Sequence, residues 1–339
     1  MIYYRDMKAM TVNIPGPIEE HPLALADIAP PEPAAGEILV RVKTCGVCRT
    51  DLHVSEGDLP IHREHVIPGH EAVGVVERLG AGCKRYRVGE RVGIAWLRET
   101  CGICIYCKRG RENLCPNAKF TGYDHDGGYA EFATVREDFA YRIPDALGDE
   151  EAAPLLCAGI IGYRAIKRAA IERGMTVGLY GFGGSAHLSM QVLKHWGCKV
   201  YVMTRGGTHR ALAESMGADW VGRGEDRPPK KLDAAILFAP AGNLVPSCME
   251  ALDRGGVLAI AGIYLTAIPS LDYEKHLFEE REIRSVTANT RLDGEEFMQI
   301  AGEIPIHTHT QFFGLEQATD ALIELKHDRI RGAAVLRVA

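Results

Sequence analysis

The sequence predicts an α/β protein with two domains, one rich in β-strands and one built on a doubly wound parallel sheet. Its 339 residues exceed the length at which a single hydrophobic core usually stops growing. Residues 37–92 consist of short β-rich runs broken by glycine and proline. Residues 154–285 instead alternate apolar strands, glycine turns and amphipathic helices. These two patterns indicate two architectures in one chain.

The β-rich domain is expected to be compact, antiparallel and barrel-like. Its clearest strands are EILVRVKTC and EAVGVVERLG, at residues 37–45 and 71–80, where β-branched residues dominate. Two helices are expected near residues 293–300 and 315–326, and a final strand, AAVLRV, could complete the same sheet. We therefore expect a first domain at residues 1–153 and 291–339, with the second domain inserted at residues 154–290.

The second domain is predicted to bind a dinucleotide. Its clearest strands are TVGLY, KVYVM, DAAILF and GVLAIAG, and the turn after TVGLY fits the pattern GxGxxG/A. Small residues there allow a tight turn and a close approach to a pyrophosphate, which the amides of the following helix can bind. The candidate cofactor contacts of this Rossmann-type turn are Gly181, Phe182, Gly183, Gly184, Ser185 and Ala186.

The cofactor is expected to be NADP(H), with NAD(H) as the alternative. NAD-binding turns carry an acidic residue about 20 positions further on, which accepts hydrogen bonds from the ribose. The equivalent place here reads Met203, Thr204, Arg205 and holds no carboxylate. Arg205 could pair with a 2′-phosphate while Thr204 donates a hydroxyl hydrogen bond. The other interpretation of Arg205 is a solvated surface charge.

A cluster of cysteines predicts a closed metal site. CGICIYCKRGRENLC places thiols at close CxxC spacing, which suits a tetrahedral Zn²⁺ shell. With sulfur at every position no place remains for water, so the site is expected to be structural, in a lobe at about residues 98–118. The ligands of this structural zinc would be Cys101, Cys104, Cys107 and Cys115.

Composition excludes several classes of function. The net charge of −6 gives no indication of nucleic-acid binding, which depends on clustered basic residues. No apolar run approaches the roughly 20 residues needed to cross a bilayer, and the first ten residues do not resemble a signal peptide. We therefore expect a cytoplasmic protein with a small-molecule substrate and neither a nucleic-acid nor a membrane partner. Clustered cysteines then indicate metal binding rather than disulfides.

Several motifs together resemble one family. GVCRTDLH, PGHEAVG, the cysteine cluster, PLLCAGI and the glycine turn occur in the order found in zinc-dependent medium-chain alcohol dehydrogenases. Taken singly, Cys157 would be a core thiol and His70 an ordinary loop residue. The resemblance implies a GroES-like catalytic domain and a second, catalytic zinc bound by Cys48, His70 and Cys157. Glu71 is implied as an occasional ligand.

The same resemblance implies roles for the residues beside the ligands. Asp51 would orient the ligand imidazole. Thr50 would accept the proton of the alcohol and His53 would pass it to solvent. Arg49 would face the cofactor pyrophosphate, while Arg331 departs from the family pattern and is left out of the set. Cys45, despite its nearness in CGVC, is expected to be a packed thiol.

The resemblance also suggests a substrate pocket and an assembly. Leu59 and Trp96 would line the pocket, and a leucine where ethanol-specific members often have tryptophan favours longer or bulkier alcohols. The expected function is reversible oxidation of primary or secondary alcohols with NADP⁺ in a homotetramer. The alternatives are an NAD-dependent alcohol, polyol or formaldehyde-type dehydrogenase, a non-catalytic NADPH-binding protein and a zinc-stabilised interaction protein. Cys157 argues against the polyol type, whose members usually place a carboxylate there.

Overall fold

The structure is a computed structural model that describes residues 5–339, so residues 1–4 of the expected first domain lie outside the described part. The chain separates into two compact units. The split unit comprises the chain up to Cys157 together with Ala288–Ala339, and the continuous unit comprises Ala158–Thr287. In the described residues, no helix has the length and apolar character needed to span a membrane.

The split unit begins with strands and short helices. Its strands are β1 (Met7–Val12), β2 (Leu23–Ile28), β3 (Glu37–Val47), β4 (Ala72–Leu79), β5 (Arg91–Ile94), β6 (Leu97–Glu99), β7 (Lys119–Phe120), β8 (Phe132–Arg136) and β9 (Ala140–Arg142). Its helices are α1 (Arg49–Glu56), α2 (Ile105–Lys108) and α3 (Asp149–Ala152), and short 3₁₀ helices cover Ile18–Glu20, Glu112–Leu114, Glu137–Phe139 and Ala153–Leu156.

The continuous unit alternates helices and strands. Its elements are α4 (Ala158–Arg168), β10 (Thr176–Tyr180), α5 (Gly184–His195), β11 (Lys199–Met203), α6 (Gly207–Ser215), β12 (Trp220–Gly222), β13 (Leu232–Leu237), a 3₁₀ turn (Gly242–Leu244), α7 (Val245–Ala251), β14 (Leu252–Ile260), α8 (Tyr273–His276) and β15 (Glu282–Ser285).

The chain then completes the split unit. The last elements are α9 (Arg291–Glu303), β16 (Thr310–Gly314), a 3₁₀ turn (Leu315–Gln317), α10 (Ala318–Lys326) and β17 (Ala333–Arg337). Helix α9 begins earlier than the apolar pattern predicts, because the Thr290 hydroxyl accepts the backbone N–H of Asp293 and caps it. The predicted helix at residues 315–326 starts as a 3₁₀ turn.

The main sheet of the split unit has the strand order β16-β17-β3-β4-β5-β9, with β8 also paired to β3. Strand β17 pairs antiparallel with β3, and β3 pairs antiparallel with β4. Strands β16 and β17 are parallel, which differs from the purely antiparallel domain that the sequence predicts. Helix α10 connects these two strands, as a parallel connection requires a crossover.

The sheet of the continuous unit has the strand order β12-β11-β10-β13-β14-β15, and every pair in it is parallel. This is the doubly wound α/β fold that the sequence predicts, so the fold class is confirmed. The strand order reverses beside β10, and in such sheets ligands bind at the carboxyl ends of the strands next to the reversal. The glycine turn follows β10 directly.

Candidate functional site

Strands β3 and β4 bring the first ligand candidates together. Cys45 pairs with Ala72 across the two antiparallel strands. Cys48 therefore follows the end of β3 beside His70 and Glu71, which precede β4. The Asp51 carboxylate accepts the Cys48 backbone N–H at 2.9 Å and so caps helix α1. This cap fixes Cys48 at the helix entrance.

Cys157 reaches the same place from a distant part of the chain. It follows the 3₁₀ helix Ala153–Leu156, whose leucines are fully buried. Leu156 packs so closely on β5 that a Cβ at Gly93 would lie 2.6 Å from its Cδ2 atom. Close packing of this kind fixes the 3₁₀ helix, and with it the Cys157 thiol.

The geometry of these side chains fits a metal ion. One ligand atom each from Cys48, His70, Glu71 and Cys157 lies within 4.8 Å of every other. The sulfurs of Cys48 and Cys157 are 3.8 Å apart. Two thiolates on a tetrahedral zinc, with Zn–S bonds of about 2.3 Å, would be separated by about 3.8 Å.

The charges of the site also fit a cation. The two thiols and the Glu71 carboxyl converge beside the buried Asp51 carboxylate, and the histidine alone can carry positive charge. Burial, with the neighbouring Cys48 and Asp51 charges, raises the pKa of the Glu71 carboxyl well above its ordinary value. The hydrogen bond from Cys157 lowers the pKa of Cys48. A bound divalent cation would compensate this buried acidic cluster.

Asp51 connects the ligands through hydrogen bonds. Its Oδ1 atom lies 2.9 Å from His70 Nδ1 and accepts the Gly69 N–H at 3.1 Å. The hydroxyl of Tyr129 donates to Oδ2 at 3.3 Å. Tyr129 is fully buried, and no sequence pattern indicated its part in the site.

Gly46 is a second residue that the sequence analysis missed. A Cβ at this position would lie 1.8 Å from Glu71 Oε2 and 2.9 Å from Glu71 Cβ. Gly46 therefore provides the space that the carboxyl group occupies. Cys45, the neighbouring thiol, is fully buried, and burial raises its pKa.

The other predicted residues of this region lie on or near α1. Thr50 is buried, with Oγ1 at 3.9 Å from Cys48 Sγ. His53 is partly exposed and its Nδ1 atom lies 2.8 Å from an Asp58 carboxylate oxygen. Arg49 forms an ion pair with Asp328, which lies just after α10.

The second cysteine cluster is also assembled. Cys104 and Cys107 have sulfurs 3.5 Å apart, as do Cys101 and Cys115, while the sulfurs of Cys101 and Cys107 are 4.0 Å apart. Backbone N–H groups of Ile103 and Cys104 lower the pKa of Cys101 to about 6. Four thiols at these distances suit a closed tetrahedral zinc site.

The cysteine lobe is attached to α9 by an ion pair that the sequence analysis missed. Glu112, between the third and fourth cysteines, accepts hydrogen bonds from the Arg291 side chain at 2.7 and 3.0 Å and from its backbone N–H at 2.8 Å. The two residues are 179 positions apart. This bidentate contact joins the lobe to the C-terminal part of the split unit.

The predicted pocket residues are linked by an aromatic side chain. Trp96 contacts the edge of His70 at a ring separation of 5.1 Å and stacks with Phe120 at 4.8 Å. Tyr123 stacks with Trp96 at 6.0 Å and also lines a cavity of about 210 Å³ that contains Leu59. Tyr123 therefore connects the two predicted positions, although no motif singled it out.

The glycine turn of the continuous unit has the conformation that dinucleotide binding needs. Gly181 has φ +90°, and a Cβ there would lie 2.8 Å from the Ala239 backbone nitrogen, so only glycine fits. Gly183 caps helix α5, and a Cβ on it would meet no atom within 4 Å. Phe182 and Ala186 are buried beneath the turn. The helix that begins at Gly184 and continues through Ser185 therefore presents free amides beside open space.

The two residues proposed for cofactor choice follow β11. Thr204 is buried and its N–H donates to the Gly222 carbonyl at 2.9 Å. Arg205 is exposed. Residues 203–207 contain no carboxylate that could repel a phosphate.

Comparisons with known proteins identify the family of the chain. The family model described as "Alcohol dehydrogenase GroES-like domain" matches residues 34–145, and the one described as "Zinc-binding dehydrogenase" matches residues 184–303. "Probable alcohol dehydrogenase AdhA" of Mycobacterium tuberculosis is 55% identical, covering 98% of this chain and 97% of that protein. The chain belongs to the zinc-dependent medium-chain alcohol dehydrogenases.

Other relatives of this zinc-dependent alcohol dehydrogenase are similar along their whole length. An alcohol dehydrogenase of Geobacillus stearothermophilus is 37% identical, covering 94% of this chain and 96% of its own. The cobalt- and zinc-bound thermostable alcohol dehydrogenase from Pyrobaculum aerophilum superposes with a TM-score of 0.87 at 28% identity, over 98% of this chain and 100% of that one. The predicted family and enzyme class are therefore confirmed.

Proposed function

We propose that this alcohol dehydrogenase transfers hydride reversibly between a primary or secondary alcohol and NADP⁺, with an aldehyde or ketone and NADPH as the products. The observation that carries the proposal is the buried convergence of Cys48, His70 and Cys157, with two sulfurs at the separation expected on one zinc. Three protein ligands leave a fourth position available, which a catalytic site requires.

The donor atoms define what the metal site would do. A zinc ion held by Cys48, His70 and Cys157 supplies Lewis acidity, which lowers the pKa of an alcohol and polarises a carbonyl. Glu71 is an occasional or alternative ligand, since its carboxyl is buried in the same cluster. Asp51 holds the imidazole of His70 in one orientation through its Nδ1 atom, which leaves Nε2 as the nitrogen for the metal.

A proton must leave the buried site when an alcohol is oxidised. Thr50, buried beside Cys48, is the proposed first acceptor. His53 lies one helical turn further along α1 and is partly exposed, so it is the proposed group that exchanges the proton with solvent.

The proposed preference for NADP(H) rests on the end of β11. The glycine turn would hold the pyrophosphate of the dinucleotide, whose nicotinamide would supply the hydride acceptor. Thr204 and the exposed Arg205 occupy the place where NAD-binding turns carry an acidic residue, and neither repels a 2′-phosphate. Arg49 remains a proposed contact to the pyrophosphate, in which role it would exchange its ion pair with Asp328 for a phosphate.

The proposed substrates are alcohols and aldehydes larger than ethanol. Leu59 lines a cavity and Trp96 packs on the proposed ligand His70, which supports both as residues that limit substrate size. Leucine occupies less volume than the tryptophan of ethanol-specific members, and a larger apolar pocket favours longer chains by a few kcal/mol at most.

Cys101, Cys104, Cys107 and Cys115 are proposed to hold a structural zinc, which gives two zinc ions per chain. A homotetramer is proposed on the family resemblance. A cytoplasmic location is proposed because all ten cysteines are free thiols rather than partners in disulfides.

A panel of alcohols and aldehydes tests the function, with each compound assayed with NADPH and with NADH. We expect faster turnover with NADPH, and rates that increase from ethanol toward hexanol or benzyl alcohol. Higher kcat/KM with NADH would contradict the cofactor assignment. A steady decline from ethanol to the longer alcohols would contradict the pocket assignment.

A further inference from the structure

A second arginine lies beside the proposed cofactor contacts at the end of a neighbouring strand. Strands β11 and β12 are parallel neighbours in which Met203 pairs with Gly222. The Thr204 N–H donates to the Gly222 carbonyl at 2.9 Å, so the pairing continues past the end of β11. Arg223, the residue after Gly222, therefore leaves the same edge of the sheet as Thr204 and Arg205. Neighbouring strands are about 4.8 Å apart.

The backbone of Arg223 is fixed by a local turn. Its N–H donates to the Asp226 carboxylate at 2.7 Å, and the Asp226 N–H donates to the Arg223 carbonyl at 3.1 Å. Arg223 is exposed, as is Arg205. Within residues 5–339, the structure gives neither guanidinium a hydrogen bond or an ion pair. Two free cations thus lie at the carboxyl ends of adjacent strands.

The turn after Arg205 carries no bulky side chains of its own. The two residues after Arg205 are Gly206 and Gly207, and a Cβ on Gly207 would meet no atom within 4 Å. No side chain of this turn therefore blocks the approach of a ligand to the edge.

We propose that Arg223 is a second contact to the 2′-phosphate of NADP(H), together with Arg205. The inference rests on the proposed NADP(H) preference and deepens it. A phosphate monoester carries a charge of about −1.5 to −2 at pH 7, so one guanidinium neutralises only part of it. Two arginines supply a matching charge and several N–H donors for the three phosphate oxygens.

Arg227 provides a matched control, because it lies with Arg223 on the segment that connects β12 to β13. It is exposed and has the same charge, but it lines a different cavity with Ser247 and Glu250. That cavity also contains Lys231, which directly precedes β13, and therefore lies toward the amino ends of the strands. Loss of Arg227 changes the net charge of this segment, but it removes no cation from the carboxyl ends of β11 and β12.

The experiment compares four variants of the full-length, zinc-loaded enzyme: Arg205→Gln, Arg223→Gln, Arg223→Lys and Arg227→Gln. Titration calorimetry measures the Kd of adenosine 2′,5′-bisphosphate and of adenosine 5′-monophosphate. Fluorescence titration measures the Kd of NADPH and of NADH. Circular dichroism confirms that each variant is folded. We expect Arg223→Gln to weaken the 2′-phosphorylated ligands about tenfold, because a hydrogen bond to a charged group is lost. Binding of adenosine 5′-monophosphate and NADH should stay unchanged, and Arg223→Lys should restore part of the affinity.

The outcomes separate this inference from the proposed preference. In one outcome, Arg205→Gln has a higher Kd than the wild-type enzyme for the 2′-phosphorylated ligands, but Arg223→Gln has the same Kd as Arg227→Gln. The role of Arg223 is then overturned, and the proposed NADP(H) preference remains. If the wild-type enzyme binds NADH as tightly as NADPH, both are overturned. A loss of affinity of equal size for all the ligands in Arg223→Gln would also overturn a specific phosphate contact.

Discussion

His70 Nδ1 lies 2.9 Å from Asp51 Oδ1, and both side chains are almost completely buried. The same carboxylate accepts the backbone N–H of Cys48 and of Gly69. Asp51 therefore orients the ring of His70. It also fixes the backbone at Cys48 and at the residue before His70. A carboxyl group that accepts the imidazole N–H holds the ring in one orientation and leaves its other nitrogen free for a metal.

Asp51→Asn should weaken zinc binding at the catalytic site about 10- to 100-fold, because the substituted amide is neutral and orients the imidazole less strongly. Chelator competition followed by metal analysis measures this. Asp58→Asn is the matched control, since Asp58 contacts His53 and is exposed. Equal zinc affinity in both variants would rule out an orienting role for Asp51.

Cys104→Ser should lower the stability of the protein more than it lowers the catalytic rate. Loss of one thiolate opens the four-cysteine site, and we expect the Tm to fall by at least about 5 °C, since a structural zinc contributes directly to folding. Scanning calorimetry gives the Tm, and kcat at 20 °C reports the catalytic site. Cys83→Ser, at a free cysteine outside both clusters, is the control. An unchanged Tm would contradict a structural zinc.

Glu112→Gln should reduce the acid sensitivity of folding. Burial alone would raise the pKa of Glu112, but hydrogen bonds from Arg291 outweigh it and hold that pKa below its ordinary value. The wild-type ion pair therefore stabilises the fold above the unfolded-state pKa of about 4.3, and this contribution is lost as the pH falls further.

Urea unfolding at pH 7 and at pH 4 measures that contribution. Glu112→Gln should lower the free energy of unfolding by about 1–3 kcal/mol at pH 7 and by less at pH 4. Glu316→Gln removes an exposed carboxylate, and it should leave the free energy of unfolding nearly unchanged at both pH values. A deficit in Glu112→Gln that stays equal at both pH values would show that the charge of Glu112 is not responsible.

His53→Gln should slow alcohol oxidation about tenfold by removing the group that exchanges the proton with solvent. Added imidazole buffer should restore part of the rate in this variant and leave the wild-type rate unchanged. His327→Gln, at an exposed histidine that contacts Glu19, is the control. If imidazole does not restore the rate of His53→Gln, the proton leaves by another path.

The features predicted correctly from the sequence are those that short segments encode. The strand predicted at TVGLY coincides with β10, because its apolar run ends at a glycine that no other residue can replace. CxxC spacing likewise brings thiols together whatever the rest of the fold. The resemblance to the family was needed for Cys157, since its apolar surroundings alone indicate a core thiol.

The features that were missed depend on contacts between distant segments. Tyr129 donates to Asp51 across 78 positions, and Arg291 reaches Glu112 across 179. The parallel pairing of β16 with β17 likewise depends on the packing of α10 rather than on either strand. The space that Gly46 provides for Glu71 becomes evident only once β3 and β4 are paired.

The most direct test of the central claim is the metal content and activity of Cys157→Ala, measured beside its affinity for NADPH. We predict two zinc ions per wild-type chain and one in the variant, with NADPH binding unchanged and alcohol oxidation reduced to background. A Cys157→Ala enzyme that binds two zinc ions and oxidises alcohols at the wild-type rate would contradict the account.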